Sequence, residues 1–123
     1  MAKIIAYDLG TGGIKASLFD ESGECLSDAF IPYPTFYPND KWCEQRPMDW
    51  WQGVCDSTRM LLSQSGIPAT EIACTALSGH SIVTAPLDKG GHLLLEQVPI
   101  WCDMRPDDEP GEFFSSIPYD DWY

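Results

Sequence analysis

Residues 8–15, DLGTGGIK, bring a carboxylate, a hydroxyl, three glycines and a cation into one short stretch. Glycine at positions 10, 12 and 13 lets backbone N–H groups approach a ligand with no Cβ in the way. Thr11 adds a hydroxyl donor, and Lys15 adds a cation able to meet a phosphate oxygen. Asp8, at the end of an apolar run, suits a hydrated Mg²⁺. The same residues also suit a plain hairpin with a flexible turn. The stretch is not a Walker A loop, which needs Gly-Lys-Ser/Thr after four intervening residues. Nor is it GxGxxG before a helix, because a strand pattern follows.

Other chemistry is excluded by type and spacing. His80 and His92 have no cysteine at ligand spacing, so a zinc site is not expected. The five cysteines, Cys25, Cys43, Cys55, Cys74 and Cys102, are odd in number and form no CxxC. They read as reduced thiols of a cytosolic protein. Lys plus Arg is 7 and Asp plus Glu is 19, a net charge of −12, which argues against a nucleic-acid partner. The N-terminus, MAKIIAYDLG, reaches an aspartate too soon for a signal peptide. No apolar run approaches the roughly 18 residues of a membrane span. A cytoplasmic protein without a membrane partner is expected.

The elements that must position these residues follow from pattern. With 123 residues and 44% hydrophobic content, the chain can bury a core. Residues 3–9, KIIAYDL, read as a buried strand. In 14–20, Ile14, Ala16 and Leu18 point one way and Lys15, Ser17 and Phe19 the other. The turn signal at 21–24 and the run 25–32 complete an antiparallel meander of three strands. Residues 32–47, PYPTFYPNDKWCEQRP, hold four prolines and four aromatics, which predicts a loop packed onto the domain. Pro47 opens a helix with Asp49 in its first turn, Trp50, Val54, Leu61 and Leu62 on one stripe, and Gly66 and Pro68 as its stop. Residues 71–78 predict a fourth strand and 81–87 a fifth, with Pro86 at an edge or bulge. After a turn at 88–91, residues 92–95 are expected to continue the sheet, and 98–101 form a short apolar piece. The stretch RPDDEPGEFF reads as the start of an acidic helix.

In this order the blocks resemble the sugar kinase/Hsp70/actin superfamily of ATPases, and within it the FGGY carbohydrate kinases, with a xylulokinase-like cast. DLGTGGIKASLFD (8–20) is similar to the family's first phosphate loop. WCEQRPMDWW (42–51) is similar to its W-x-E-Q-x-P-x-x-W-W block. SGHSIVTAPLD (78–88) and PIWCDMR (99–105) resemble its glycine-polar segment, its Leu-Asp and its Ile-x-Trp-x-Asp-x-Arg. The resemblance implies an α/β fold, the ribonuclease H-like (actin-like ATPase) N-terminal domain, with a mixed sheet holding an antiparallel meander. It implies ATP and Mg²⁺, with Asp8 near the metal through water and Gly10, Thr11, Gly12 and Lys15 at the phosphates. Gly79, His80, Ser81, Trp101, Asp103 and Arg105 are implied to face a sugar or polyol. A tryptophan there suits the C–H face of a sugar. Read without the family, Trp101 is a core aromatic, Asp103 and Arg105 are a solvated pair, and Trp50 and Trp51 are helix packing. Glu44 and Gln45 are read as pinning the proline-rich loop.

Two departures from the family pattern bear on function. Xylulokinases usually read Gly-Gln-Met-His-Gly after the fourth strand, and glycerol kinases carry an Arg-Glu pair. Here Gly79-His80-Ser81-Ile82 stands instead, so the sugar is not named. Family members are several times longer, and their catalytic aspartate, second phosphate motif and adenosine motif fall beyond residue 123. Residues 1–123 are therefore expected to be the first part of the N-terminal domain, with Asp120 and Asp121 too early to be the base. Alone they are expected to be inactive and to self-associate through exposed strand edges. The alternatives are another ATPase of the superfamily, or a non-enzymatic fragment that binds sugar or a partner chain.

Overall fold

The computed structural model describes residues 2–105, 111, 115–116 and 118–121. The stretch expected to begin an acidic helix lies almost wholly outside the described residues.

Three strands run as the alternation requires: β1 (Lys3–Leu9), β2 (Gly13–Asp20) and β3 (Cys25–Pro32). β1 pairs antiparallel with β2, from Lys3 opposite Asp20 to Leu9 opposite Ile14, and β2 pairs antiparallel with β3. The period of two turns Ile5, Tyr7, Ile14, Ala16, Leu18 and Ala29 inward, where Tyr33 and Leu61 join them. Full burial of Ile5, Ile14, Leu18 or Leu61 contributes about 2 kcal/mol each. Gly13 must be glycine, because a Cβ there would stand 2.5 Å from the Ile31 carbonyl oxygen.

The proline-rich loop folds back on itself. Phe36 and Glu44 exchange backbone hydrogen bonds of 2.8 and 2.9 Å. β4 (Glu44–Gln45) then pairs antiparallel with β6 (Val98–Pro99), forming a second, two-stranded sheet. Between them α1 (Pro47–Ser65) packs across β2 and β3. Pro47 begins it where a missing N–H is harmless, and Gly66 ends it with φ 68°, its N–H returning to the Leu62 carbonyl. Among the described residues, no helix is long and apolar enough to cross a membrane.

β5 (Ile72–Gly79) lies parallel to β1, giving the mixed sheet order β3-β2-β1-β5. Leu9 thereby stands beside Gly79 and Asp8 beside Ser78. The expected fifth strand at 81–87 does not form, and 92–95 does not extend the sheet. The segment is irregular, with one isolated bridge between Leu87 and Leu93. Ile82 takes φ 56°, a conformation closed to strands and costly for a β-branched residue. Pro86 has no N–H to give a ladder, and its carbonyl accepts instead from Leu94 at 3.0 Å. Asp88 closes the turn by accepting from the amides of Gly90 and His92, each at 2.8 Å.

Candidate functional site

β1 and β5 run parallel and end together, so both chains leave the sheet at the same edge. Open α/β sheets bind ligands at such carboxyl ends of parallel strands. Here Asp8, Leu9, Gly10, Thr11, Gly79, His80, Ser81 and Trp101 surround a hollow of about 270 Å³. Six of the eight were singled out from sequence as ligand-facing, and a seventh, Trp101, arrives from a segment ninety residues away in the chain.

The glycine turn is a hairpin turn and a braced one. The Gly10 N–H donates to the Gly13 carbonyl at 3.0 Å. The Gly10 carbonyl accepts from the Tyr33 hydroxyl. Burial first, and the Asp8 carboxylate second, push the Tyr33 phenol up to about 12, which keeps it protonated as that donor. The Thr11 carbonyl accepts from Gln45 Nε2 at 2.6 Å, and Thr11 Oγ1 accepts from Trp101 Nε1 at 3.1 Å. With the turn's carbonyls tied back, the Thr11 and Gly12 amides are what it can offer an anion. Nothing crowds Gly12 on its side-chain side.

Gln45 is fully buried and joins three parts of the site. Its Nε2 also donates to Thr35 Oγ1 at 2.7 Å, and its Oε1 accepts from Trp50 Nε1 at 3.0 Å. The Trp50 ring in turn lies 5.4 Å from the His80 ring, tilted by 42°. Trp50 is thus more than a packing residue of α1. His80 Nε2 is buried, and among the described residues it has no hydrogen-bond partner. Burial pushes the His80 imidazole below its ordinary value against the opposing pull of Asp8, so the ring is neutral near neutral pH. A buried unpaired ring nitrogen at the wall of a hollow is a group that a ligand hydroxyl can satisfy.

Trp101 is not a core aromatic, for it is 58% exposed. Asp103 and Arg105 are not a solvated pair either. The Asp103 side chain is 3% exposed and accepts from Arg105 Nε at 2.8 Å, from Arg105 Nη2 at 2.7 Å and from the Cys43 amide at 2.8 Å. Arg105 Nη2 also donates to Glu44 Oε1 at 2.6 Å, and its guanidinium lies 3.8 Å over the Trp42 ring. The Arg105 hydrogen bonds hold the Asp103 carboxyl below its ordinary value. The clasp closes the turn that carries Trp101, the Asp103 amide donating to the Ile100 carbonyl at 2.8 Å. One face of the clasp borders a smaller hollow of about 190 Å³ with Ile82, Ile100 and Trp101.

Lys15 sits on β2 directly across from Asp8, exposed, and does not line the hollow. Among the described residues, no group of three or more His, Cys, Asp or Glu side chains could hold a metal. Asp8 offers one exposed carboxylate at the hollow, a donor that suits an ion keeping most of its waters, as Mg²⁺ does. Tyr33 was missed in the sequence, where nothing distinguishes it from the other aromatics of the loop. Gln45 stands in its block, but its bond to Thr11, thirty-four residues away, has no local signal.

The FGGY family of carbohydrate kinases, N-terminal domain, matches residues 3–111. The glycerol kinase of Gloeobacter violaceus is 40% identical over 102 residues, covering 83% of this chain and 20% of that protein. The glycerol kinase of Citrifermentans bemidjiense is 29% identical over 105 residues, 85% of this chain and 21% of that protein. The crystal structure of a xyloylose kinase from Brucella ovis superposes with a TM-score of 0.84 at 26% identity, over 93% of this chain and 24% of that one. A Plasmodium falciparum glycerol kinase with ADP shares the fold, with a TM-score of 0.82 at 18% identity over 98% of this chain and 24% of that one. The chain spans about a fifth of the length of the curated relatives it matches.

Proposed function

The chain belongs to the FGGY family of carbohydrate kinases, and from that premise we propose that it contributes to phosphoryl transfer from ATP to a hydroxyl of a sugar or polyol. One observation carries the reading: the glycine turn, Asp8, the His80 wall and Trp101 meet around one hollow.

The amides of Thr11 and Gly12 hold phosphate oxygens, and the Thr11 hydroxyl, anchored by Trp101, stands beside them. Lys15 and Asp8 face each other across β1 and β2 at the same end, Lys15 drawing in the nucleotide's negative charge. Asp8 would hold Mg²⁺ through water, and the ion would supply positive charge at the phosphates. Gly79, His80, Ser81 and Trp101 receive the acceptor: Trp101 packs on C–H groups, and His80 Nε2 meets a hydroxyl. Asp103 and Arg105 border the smaller hollow and hold Trp101 in place. The base that takes the hydroxyl proton lies outside residues 1–123. A reaction that draws on ATP is consistent with a cytoplasmic setting.

The relatives' names divide between glycerol and a ketose, so likeness does not choose the acceptor. The residues at 79–82 choose it. The test is a coupled assay of ADP release across polyols and ketoses, on a polypeptide that carries this chain at its relatives' full length. ADP release that depends on one acceptor class supports the reading. Nucleotide turnover indifferent to every polyol and ketose would overturn it in favour of another actin-like ATPase.

A further inference from the structure

Cys43 stands between Trp42 and Glu44, and Cys102 between Trp101 and Asp103. They are fifty-nine residues apart in the chain, and their sulfur atoms are 2.9 Å apart. We propose that Cys43 and Cys102 are a dithiol–disulfide pair, closing reversibly in response to small-molecule disulfides across the clasp that holds Trp101.

The surroundings favour a bond here. The backbones on either side are already in register: the Ile100 amide donates to the Cys43 carbonyl at 3.0 Å, and the Cys43 amide donates to Asp103 Oδ2 at 2.8 Å. Both thiols therefore sit on segments fixed against each other by hydrogen bonds that flank them. A disulfide needs the sulfurs at about 2.05 Å, so this pair at 2.9 Å has a short distance to close. The other three thiols lie elsewhere: Cys25 on β3, Cys74 on β5 and Cys55 on α1.

Access is asymmetric. Cys43 is 4% exposed, and burial, then the Cys102 hydrogen bond, push its thiol up to about 11. Cys102 is only partly buried. Both border a hollow of about 340 Å³ with Tyr37, Asp40, Trp42 and Met104. Cys102 is the thiol that reacts first. Its thiolate attacks one sulfur of oxidised glutathione, whose S–S bond breaks and releases one glutathione thiolate. The Cys43 sulfur, losing its proton, then attacks the Cys102 sulfur and expels the second glutathione. Two protein thiols are oxidised, one small-molecule disulfide is reduced, and the two thiol protons end on the two glutathiones. A thiol pair of this kind in a cytoplasmic protein is a sensor rather than a permanent staple.

The experiment equilibrates the 123-residue chain with graded ratios of oxidised to reduced glutathione, quenches in acid, alkylates, digests and maps by mass. The expected result is loss of alkylation at Cys43 and Cys102 together, one peptide linking them, and Cys25, Cys55 and Cys74 still alkylated. Reduced glutathione should restore both thiols. Cys74→Ser should bridge like the unaltered chain, and Cys102→Ser should lose the bridge. The urea midpoint of the oxidised chain should rise, because the bridge closes a long loop. Full alkylation of both thiols under oxidising ratios overturns the proposal. So do links scattered among all five cysteines as in guanidinium, or a bridge that lowers the urea midpoint.

Discussion

Gln45 satisfies Thr11, Thr35 and Trp50 with one side chain, so its loss is felt at three places. Gln45→Ala leaves the Thr11 carbonyl, the Thr35 hydroxyl and the Trp50 N–H without this partner in a half-buried site. The expected cost is about 2–4 kcal/mol in urea unfolding. A loss within error would mean that water replaces the amide without penalty. Asp103 carries a second expectation. Its folded carboxyl lies below its ordinary value because Arg105 hydrogen-bonds the charged form. A depressed carboxyl stabilises the fold fully above its unfolded value and loses that contribution as pH falls through the folded one. Stability should therefore drop on acidification below the ordinary aspartate range, and Asp103→Asn should flatten that part of the profile. An unchanged slope in the variant would assign the acid loss to other groups. His80 has the same sign at higher pH: its depressed imidazole favours the fold above the ordinary histidine value and loses that contribution on acidification.

At the scale of elements, α1 is held to the sheet by a close approach at Gly53. A Cβ at that position would stand 2.9 Å from Ile14 Cγ2, a side chain with no exposure. In an open helix, glycine to alanine gains about 1 kcal/mol. Here the β-branched Ile14 has no room to yield, and overpacking costs about 1–3 kcal/mol. Gly53→Ala is expected to destabilise, and a higher melting temperature would show that α1 can lift from β2. The strands of the meander and α1 were legible because each carries its own period and its own stop signals. The segment 80–97 was not. Its apolar residues look strand-like, but Ile82 in the left-handed region and Pro86 without an N–H deny it a ladder.

At the scale of the whole molecule, β5 is the outer strand of the sheet among the described residues, and Leu77 on it is 69% exposed. Ile82, Leu94 and Leu95 add exposed apolar surface on the segment that follows. Such an edge pairs with whatever chain is offered. The 123 residues alone are expected to self-associate in sedimentation, more so with salt as the net charge of −12 is screened. Leu77→Lys should shift the population toward monomer. A monodisperse monomer at all salt concentrations would oppose this. The same chain is expected to show no acceptor-dependent ADP release, because phosphoryl transfer needs a base and a nucleotide platform from the other wall of the cleft. Measurable turnover by the purified 123 residues would overturn that expectation.

The sequence by itself determined the strand alternation, the helix with its proline start and glycine stop, and the residue types around Asp8, Thr11, His80 and Trp101. These are local properties, set by period, backbone freedom and side-chain chemistry within a few residues. The tertiary structure alone decided that β1 and β5 run parallel and end together, which brings residues 8–12 to residues 79–81. It alone turned Asp103 and Arg105 into a buried clasp with Glu44, placed Trp101 on Thr11, and set Cys43 against Cys102. Each of these joins segments far apart in the chain, and no local preference encodes a partner. Their pairing is set by the packing of α1 on β2 and β3 and by the β4–β6 ladder, which exist only once the whole chain has folded.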